Sequence, residues 1–299
     1  MNKIRNGSEQ TPFLSSLTPP AEAFPATSDQ AATLIIDCNT SVGDGRNWEP
    51  KERLVNYDPE TLLRYSAEAG IQRSCIMSTR KVLSMSASFY KEENREIARL
   101  CEKHPDKFIG FAVHNPQAEE GTLRRILIEE VRSMGLKGVR TDGHPTREVL
   151  DAVAELNIPV MYYPNLTGFY PPDSSGSREF PGPTSAYFLM ATTYPSVNFI
   201  LPHLGCYRSV QFWTAHIEAI ELAKRFPNVY LETSGVMTHK YLEMAAAEVP
   251  SEKLLFGSNA LEEDPRVEMH IVKLLKLPKP QETAVLGGNI RRLLPHFDA

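Results

Sequence analysis

The sequence predicts a single (β/α)8 TIM barrel of the α/β class, preceded by an N-terminal extension. Eight short apolar, β-branched runs alternate with longer amphipathic segments between residues 34 and 294, and this alternation is typical of parallel β-α units. Eight such units are the number that closes a (β/α)8 barrel. A doubly wound sheet would usually have a Gly-rich phosphate turn after its first strand. No such turn follows Ile36, so the sequence favours one barrel.

The apolar runs give the strands, and the amphipathic segments give the helices. Strands are predicted at 34–37, 74–78, 108–113, 136–140, 158–163, 197–202, 229–232 and 254–258. Helices are predicted at 59–70, 92–104, 119–134, 147–156, 185–193, 217–225, 240–248 and 266–277, with a closing helix at 281–294. The first helix has the clearest signals, because Asp58 can cap it, Pro59 suits its first turn and Gly70 ends it.

Residues 1–32 are predicted to be a flexible N-terminal extension, and residues 33–299 the barrel. The first segment is polar, rich in Ser, Thr and Pro, and lacks the apolar stretch of a secretory leader. The 4 cysteines are widely separated, with no C-x-x-C pair, which argues against a disulfide framework or a structural zinc site. We therefore expect a cytoplasmic protein.

The composition indicates a small-molecule partner. The chain has 32 basic and 37 acidic residues, a net charge of −5, and no basic block, which argues against nucleic acid or an anionic membrane surface. No apolar run reaches the 18 or so residues of a membrane helix. With 41% hydrophobic residues the chain can bury a sizeable core. The prediction is a small-molecule substrate, no nucleic acid and no membrane.

In such a barrel the active site is built from residues at the carboxyl ends of the strands. His203 is the first choice for a general acid or base, because histidine titrates near neutral pH. Arg140 suits a substrate carboxylate, because its guanidinium forms a planar donor fork. The catalytic residues are predicted to be His203, His114 and Asn259. The substrate-binding residues are predicted to be Arg140, Arg80, Lys81, Tyr163, Asn39, Ser41 and Tyr170.

Structural alternatives exist for these residues. Either histidine could simply satisfy a hydrogen bond at a strand end, and Glu232 could simply hold the turn after the seventh strand. Cys38 and Cys206 flank the same mouth, which raises the idea of a nucleophilic thiolate. The loop at 164–184 sets aromatic residues, including Tyr170, among glycines. It suits a lid over an apolar substrate or a contact between subunits.

Five motifs follow one another along the chain: Ile36-Asp37-x4-Val42-Gly43, FILPHLG at 199–205, RFPNVYLETSG at 225–235, LLFGS at 254–258 and LGGNxxRLL at 286–294. Taken in order, they resemble the amidohydrolase-2 family, the branch of the amidohydrolase superfamily that contains aminocarboxymuconate-semialdehyde and resorcylate decarboxylases. The resemblance implies a (β/α)8 barrel, small carboxylated aromatic or ring-opened substrates, and a homodimer.

The family normally holds a divalent metal with a His-x-His pair after the first strand, a His on the fifth and an Asp on the eighth. These positions fall on Asn39 and Ser41, on or next to Tyr163, and on Asn259. Only the strand-six histidine, which stands beside the metal, is kept, as His203. Zinc binds imidazole and carboxylate far better than amide or hydroxyl oxygen. We therefore expect no metal and no other cofactor.

The leading hypothesis is a metal-independent enzyme that acts on a small, carboxylated cyclic substrate by hydrolysis or by C–C cleavage of the decarboxylation type. His203 would be its general acid or base. One alternative is a non-catalytic relative that binds a ligand or a partner enzyme. Another is a barrel repurposed for cyclisation, dehydration or isomerisation in a biosynthetic pathway.

Overall fold

The structure is a computed structural model that describes residues 34–43, 58–78, 87–114, 123–142, 145–163, 183–207, 214–295 and 297. The predicted extension at 1–32 lies outside these residues, as does most of the loop at 164–184. Of the described helices, none is both long and apolar enough to cross a membrane.

Eight parallel strands form one sheet in the order of the sequence, which confirms the predicted barrel. The strands are β1 Ile36–Val42, β2 Arg73–Ser78, β3 Phe108–His114, β4 Gly138–Asp142, β5 Val160–Tyr163, β6 Phe199–Leu201, β7 Val229–Glu232 and β8 Leu254–Leu255. The first and last strands meet through the N–H of Cys38, which donates to the carbonyl of Phe256 at 3.0 Å, and that of Ser41, which donates to Ala260 at 2.8 Å.

A helix follows each strand, as the alternation predicts. The described helices are α1 Pro59–Ala69, α2 Ala87–Lys103, α3 Leu123–Met134, α4 Arg147–Leu156, α5 Pro183–Thr193, α6 Thr214–Arg225, α7 His239–Glu248, α8 Pro265–Lys273, α9 Lys279–Thr283 and α10 Asn289–Leu293. The signals at α1 are confirmed, because Asp58 accepts the N–H of Thr61 at 3.0 Å and Gly70 ends the helix with φ +77°.

The first and last strands differ from their predicted bounds. β1 starts later and continues to Val42, with a bulge between Asp37 and Thr40 where its register against β2 shifts. β8 stops at Leu255 because the N–H of Phe256 donates to Val285, in the closing helix, instead of to β7. Such local irregularity leaves no mark on the hydrophobic pattern that predicts strands.

The closing helix is not continuous. It is predicted at 281–294, but α9 and α10 are joined by a π-helical segment, Ala284–Gly288. Gly287 lies so close to the start of β1 that a Cβ there would be 2.1 Å from the carbonyl oxygen of Leu34. The wider turn accompanies this contact and the bond that the Val285 carbonyl accepts from Phe256.

The core has two layers. An outer layer packs the strands against the helices, and an inner layer fills the barrel below its carboxyl end. The inner layer contains Ile36, Cys38, Cys75, Met77, Ile109, Phe111, Val113, Met161, Tyr163, Ile200 and Leu255. Because alternate strand residues point into a barrel, this layer fixes which later residue on each strand faces the mouth.

Candidate active site

Polar side chains from five strand ends meet above the inner layer. We call this group the mouth cluster, and it consists of Asn39, Ser41, Arg140, Tyr163, His203, Glu232 and Ser234. All of them are buried except Ser41, which is half-buried. Five of the predicted site residues are therefore brought together, at the end of the barrel where (β/α)8 enzymes carry their active sites.

Asn39 connects β1 to both β5 and β7. Its Nδ2 donates to Oε2 of Glu232 at 3.0 Å, and its Oδ1 accepts the hydroxyl of Tyr163 at 2.6 Å. The bulge in β1 lies at this point of the strand, and bulges beside active sites commonly re-aim a side chain. The amide of Asn39 is therefore engaged on both of its polar atoms.

His203 is held by an unusual turn directly after β6. It has φ +57°, Leu204 has φ +50° and Gly205 has φ +87°. Left-handed backbone costs a non-glycine residue about 1–3 kcal/mol and concentrates at functional sites. The N–H of His203 donates to Oε2 of Glu232 at 2.9 Å, which anchors the turn from below.

The contacts of His203 define its tautomer. Nδ1 lies 3.2 Å from the carbonyl oxygen of Ser234 and 3.1 Å from its hydroxyl. A carbonyl only accepts, so the ring proton is assigned to Nδ1 and the lone pair of the neutral ring to Nε2. Within the described residues, Nε2 has no hydrogen-bond partner.

Two aromatic rings enclose the imidazole. Tyr163 meets it edge-on at 5.5 Å between ring centroids, and Tyr207 lies at 4.7 Å. Burial lowers the pKa of His203 from its ordinary 6.5, the nearby charge of Glu232 opposes that shift, and Arg140 adds to it. The imidazole is therefore neutral at neutral pH, the form that accepts a proton.

Arg140 supplies a buried cation next to this base. Its guanidinium carbon lies 4.3 Å from the centroid of the Tyr163 ring, and Nη1 donates to the hydroxyl of Ser41 at 3.3 Å. Stacking on Tyr163 orients the guanidinium plane. A buried guanidinium in a largely polar mouth is suited to bind a carboxylate.

Glu232 has a larger place in the site than the predicted turn. It does accept the N–H of Ser234, at 2.6 Å from Oε1, but it also reaches across to Asn39. Gly257 makes room for it, since a Cβ there would be 2.3 Å from Oε1. In the sequence this pair is visible as Glu232, which ends β7, and Gly257, which comes two residues after the end of β8.

Asp37 and Asn259 lie where β1 meets the segment that follows β8. Asp37 is fully buried and accepts the N–H of Ser258 at 2.9 Å and the Ser258 hydroxyl. Burial raises the pKa of Asp37 to about 7. Asn259, with φ +52°, donates from Nδ2 to Oε2 of Glu262 at 3.3 Å. Within the described residues, no hydrogen bond joins Asn259 to the mouth cluster.

His114 is the last residue of β3, and its side chain is buried. Its ring stacks on Tyr90 of α2, at 5.6 Å between centroids and 8° between planes. The other predicted binding residues, Arg80, Lys81 and Tyr170, lie outside the described residues.

The cysteines near the mouth differ in their surroundings. Cys38 is fully buried in the inner layer, and burial raises the pKa of its thiol well above the ordinary value. A thiol in this state does not supply the thiolate that nucleophilic catalysis needs. Cys206 is half-buried, and its N–H donates to the carbonyl of His203, which closes the left-handed turn.

Tyr207 is a site residue that the sequence pattern did not reveal. Its hydroxyl donates to Oε1 of Glu263 at 2.9 Å, so it ties the segment after β6 to the segment after β8. Gly235 passes beneath its ring, where a Cβ would be 2.8 Å from the ring carbons. An aromatic residue in a loop carries no periodic signal, so only the fold brings Tyr207 onto His203.

The donor set does not fit a divalent metal of the kind that the family resemblance implies. Among the described residues, no group of three or more His, Cys, Asp or Glu side chains is placed to hold an ion. The positions matched to the family's ligands carry amide, hydroxyl and phenol groups. Both polar atoms of Asn39 are already bonded to protein. Such neutral oxygens are poor ligands for zinc.

A barrel that holds a base, a guanidinium and a carboxylate at its carboxyl end belongs, by architecture and site, with the (β/α)8 enzymes. A comparison with protein-family models identifies the family. Residues 36–296 match the Amidohydrolase family model, Amidohydro_2. The chain belongs to this family, which confirms the resemblance read from its motifs. A comparison with curated protein sequences gave no significant match.

Solved structures with the same fold include two decarboxylases and a hydratase. The 5-carboxyvanillate decarboxylase of Sphingomonas paucimobilis has a TM-score of 0.63 at 14% identity, covering 88% of this chain and 99% of that chain. A dihydroxybenzoic acid decarboxylase of Polaromonas with bound manganese has a TM-score of 0.63 at 16% identity, covering 87% and 96%. The 4-oxalomesaconate hydratase of Rhodopseudomonas palustris has a TM-score of 0.61 at 18% identity, covering 89% and 97%. At these identities the likeness establishes the fold.

Proposed function

We propose that this chain is a metal-independent hydrolase or lyase that acts on a small, carboxylated cyclic substrate, with His203 as general acid or base. One observation carries the proposal: the buried imidazole of His203 and the buried guanidinium of Arg140 both lie against the ring of Tyr163, at 5.5 Å between ring centroids and at 4.3 Å from the guanidinium carbon to the ring centroid. Arg140 would anchor the substrate carboxylate, and Nε2 of His203 would exchange the proton.

The same pair serves either reaction type. In hydrolysis, Nε2 takes a proton from water while the water oxygen attacks a carbonyl carbon, and the imidazolium then protonates the leaving group. In decarboxylation, Nε2 first takes up a proton from solvent. The bond between the substrate carbon and its carboxylate then breaks, CO2 leaves, and the electron pair left on carbon takes that proton from the imidazolium, which returns to the neutral ring. Arg140 holds the charged substrate in position in both cases.

The solved neighbours support a carboxylated substrate. Two of the three above are named as decarboxylases of aromatic acids, and the third is named as a hydratase of an acid. Burial of the cation and base favours the same conclusion, because an electrostatic contact is stronger when water is excluded. The donor set supports the metal-independent form of the proposal.

The test is turnover of a panel of small cyclic carboxylic acids and lactones by the wild-type chain and two variants. His203→Gln is expected to reduce kcat by about 100-fold or more, since a placed general base contributes roughly 10²–10⁴-fold. Arg140→Gln is expected mainly to raise KM. The matched controls are His270→Gln and Arg99→Gln, which change exposed residues of α8 and α2.

The same turnover test can also contradict the proposal. If the folded wild-type chain turns over no member of the panel while a panel acid still raises its melting temperature, the chain binds without catalysis. If His203→Gln keeps full kcat on an identified substrate, another residue performs the proton transfer. Alternative reactions, such as cyclisation or isomerisation, would be visible as products that differ from the substrate without loss of CO2 or gain of water.

A further inference from the structure

Glu232 receives hydrogen bonds from three separate strand ends. Oε2 accepts Nδ2 of Asn39 at 3.0 Å and the N–H of His203 at 2.9 Å, while Oε1 accepts the N–H of Ser234 at 2.6 Å. The side chain has no exposed surface. One carboxylate therefore ties the ends of β1, β6 and β7 together beneath the mouth.

The carboxylate also sets the direction of the bonds on the β1 side. Oε2 of Glu232 accepts from Nδ2 of Asn39, the donor end of that amide. The Asn39 carbonyl oxygen then faces Tyr163, whose hydroxyl must donate to it. Any further partner of the Tyr163 oxygen has to donate a proton to it.

The same reasoning applies on the His203 side. The bond from the N–H of Ser234 to Oε1 fixes the position of Ser234. The carbonyl and hydroxyl of that same residue face Nδ1 of His203. Oε2 itself lies 3.8 Å from Nδ1. Both effects favour the proton on Nδ1, which leaves the lone pair on Nε2.

We propose that Glu232 is the positioning residue of this site, and that its carboxylate holds His203 in the Nδ1–H tautomer and fixes the hydrogen-bond direction through Asn39 and Tyr163. The proposal rests on the acid–base role proposed for His203. Glu232 acts through these side chains, which line the mouth, and takes no proton from the substrate itself.

Glutamine cannot replace Glu232 in this arrangement. If its carbonyl oxygen takes the place of Oε2, its amide group faces the N–H of Ser234, which is donor against donor. If the amide is flipped, it faces the donors of Asn39 and His203 instead. Either orientation leaves at least one buried donor without an acceptor, which is costly inside a protein.

The decisive measurement is the nitrogen NMR spectrum of His203 in ligand-free, 15N-labelled protein. The wild type is expected to show one tautomer, protonated at Nδ1. Glu232→Gln is expected to show a second tautomer and, on a substrate found with the panel above, a loss of kcat of roughly 100-fold with a smaller change of KM. Glu221→Gln, which changes an exposed glutamate of α6, is the matched control.

A second variant covers the case in which Glu232→Gln does not fold. Gly257→Ala adds a methyl group 2.3 Å from Oε1 of Glu232, so it displaces the carboxylate and keeps its charge. The same second tautomer is expected. A His203 spectrum that is unchanged in a folded variant would overturn the proposal. Because this spectrum needs no substrate, it is read independently of whether the panel contains one.

Discussion

Asp37 and Glu232 are both buried carboxyl groups, but their neighbours differ. Oδ1 of Asp37 accepts the N–H groups of Asn39 and Ser258, and Oδ2 pairs with the Ser258 hydroxyl. That hydroxyl can also accept a hydrogen bond. A proton on Asp37 therefore has a partner, whereas the described groups that hydrogen-bond to Glu232, from Asn39, His203 and Ser234, all donate to it.

The residue-scale prediction concerns Asp37 and pH. Burial raises its pKa from 3.8 to about 7 in the folded state, so the folded state holds the proton more tightly than the unfolded state. The tighter binding of this proton by the folded state adds to the free energy of unfolding. That addition is fully present below pH 3.8 and falls by up to about 1.4 kcal/mol per pH unit as the pH rises toward 7. In Asp37→Asn, urea unfolding at a series of pH values is expected to lack this fall.

Asparagine is a suitable probe because it can satisfy the same partners. Its carbonyl oxygen accepts both N–H groups, and its amide can donate to the Ser258 hydroxyl. Asp106→Asn, at an exposed position, is the control and is expected to keep the wild-type slope. An unchanged slope in a folded Asp37→Asn protein would mean that Asp37 is ionised throughout this range.

At the scale of elements, the closing helix shows how two adjacent glycines can have opposite roles. A Cβ on Gly287 would be 2.1 Å from the carbonyl oxygen of Leu34 and 3.1 Å from the N of Ile36, which are backbone atoms. A Cβ on Gly288 would have nothing closer than the carbonyl oxygen of Thr283, at 3.6 Å. The first glycine is required by packing, and the second is not.

Alanine substitutions are therefore expected to act in opposite directions. Gly287→Ala should lower the free energy of unfolding by about 1–3 kcal/mol or more, because backbone cannot repack around the methyl group. Gly288→Ala should raise it by up to about 1 kcal/mol, because alanine is the better helix former. Chemical denaturation of both variants measures the difference, and equal effects would show that the closing helix does not press on β1.

The element scale also separates what the sequence predicts from what it does not. Alternating apolar and amphipathic segments are local patterns, so all eight units and the Asp58 and Gly70 signals were predictable. Asn39 and Glu232 are 193 residues apart, and no local pattern pairs them. The left-handed turn at His203 likewise depends on Glu232, which binds the N–H of that residue from β7.

At the scale of the whole molecule, the barrel keeps the family architecture while its mouth is organised by hydrogen bonds among protein groups. Strand order and the inner layer determine which positions face the mouth, whatever side chains occupy them. The predicted site residues Asn39, Ser41, Arg140, Tyr163 and His203 lie together in the mouth cluster, and their roles stay predictions. The sequence did not predict which of these residues are hydrogen-bonded to one another, because Glu232 comes next to Asn39 and His203 only in the closed barrel.

The last prediction concerns metal content. The positions matched to the family's ligands offer amide, hydroxyl and phenol oxygens, and Asn39 is bonded to protein on both sides. Purified protein is expected to contain far less than one divalent metal per chain by elemental analysis. Its melting temperature should be unchanged by a chelator, since only a bound metal adds its binding energy to folding. Added zinc or manganese ions should cause no saturable rise in melting temperature. One tightly held metal per chain, whose removal lowers the melting temperature, would contradict both this prediction and the metal-independent part of the proposed function.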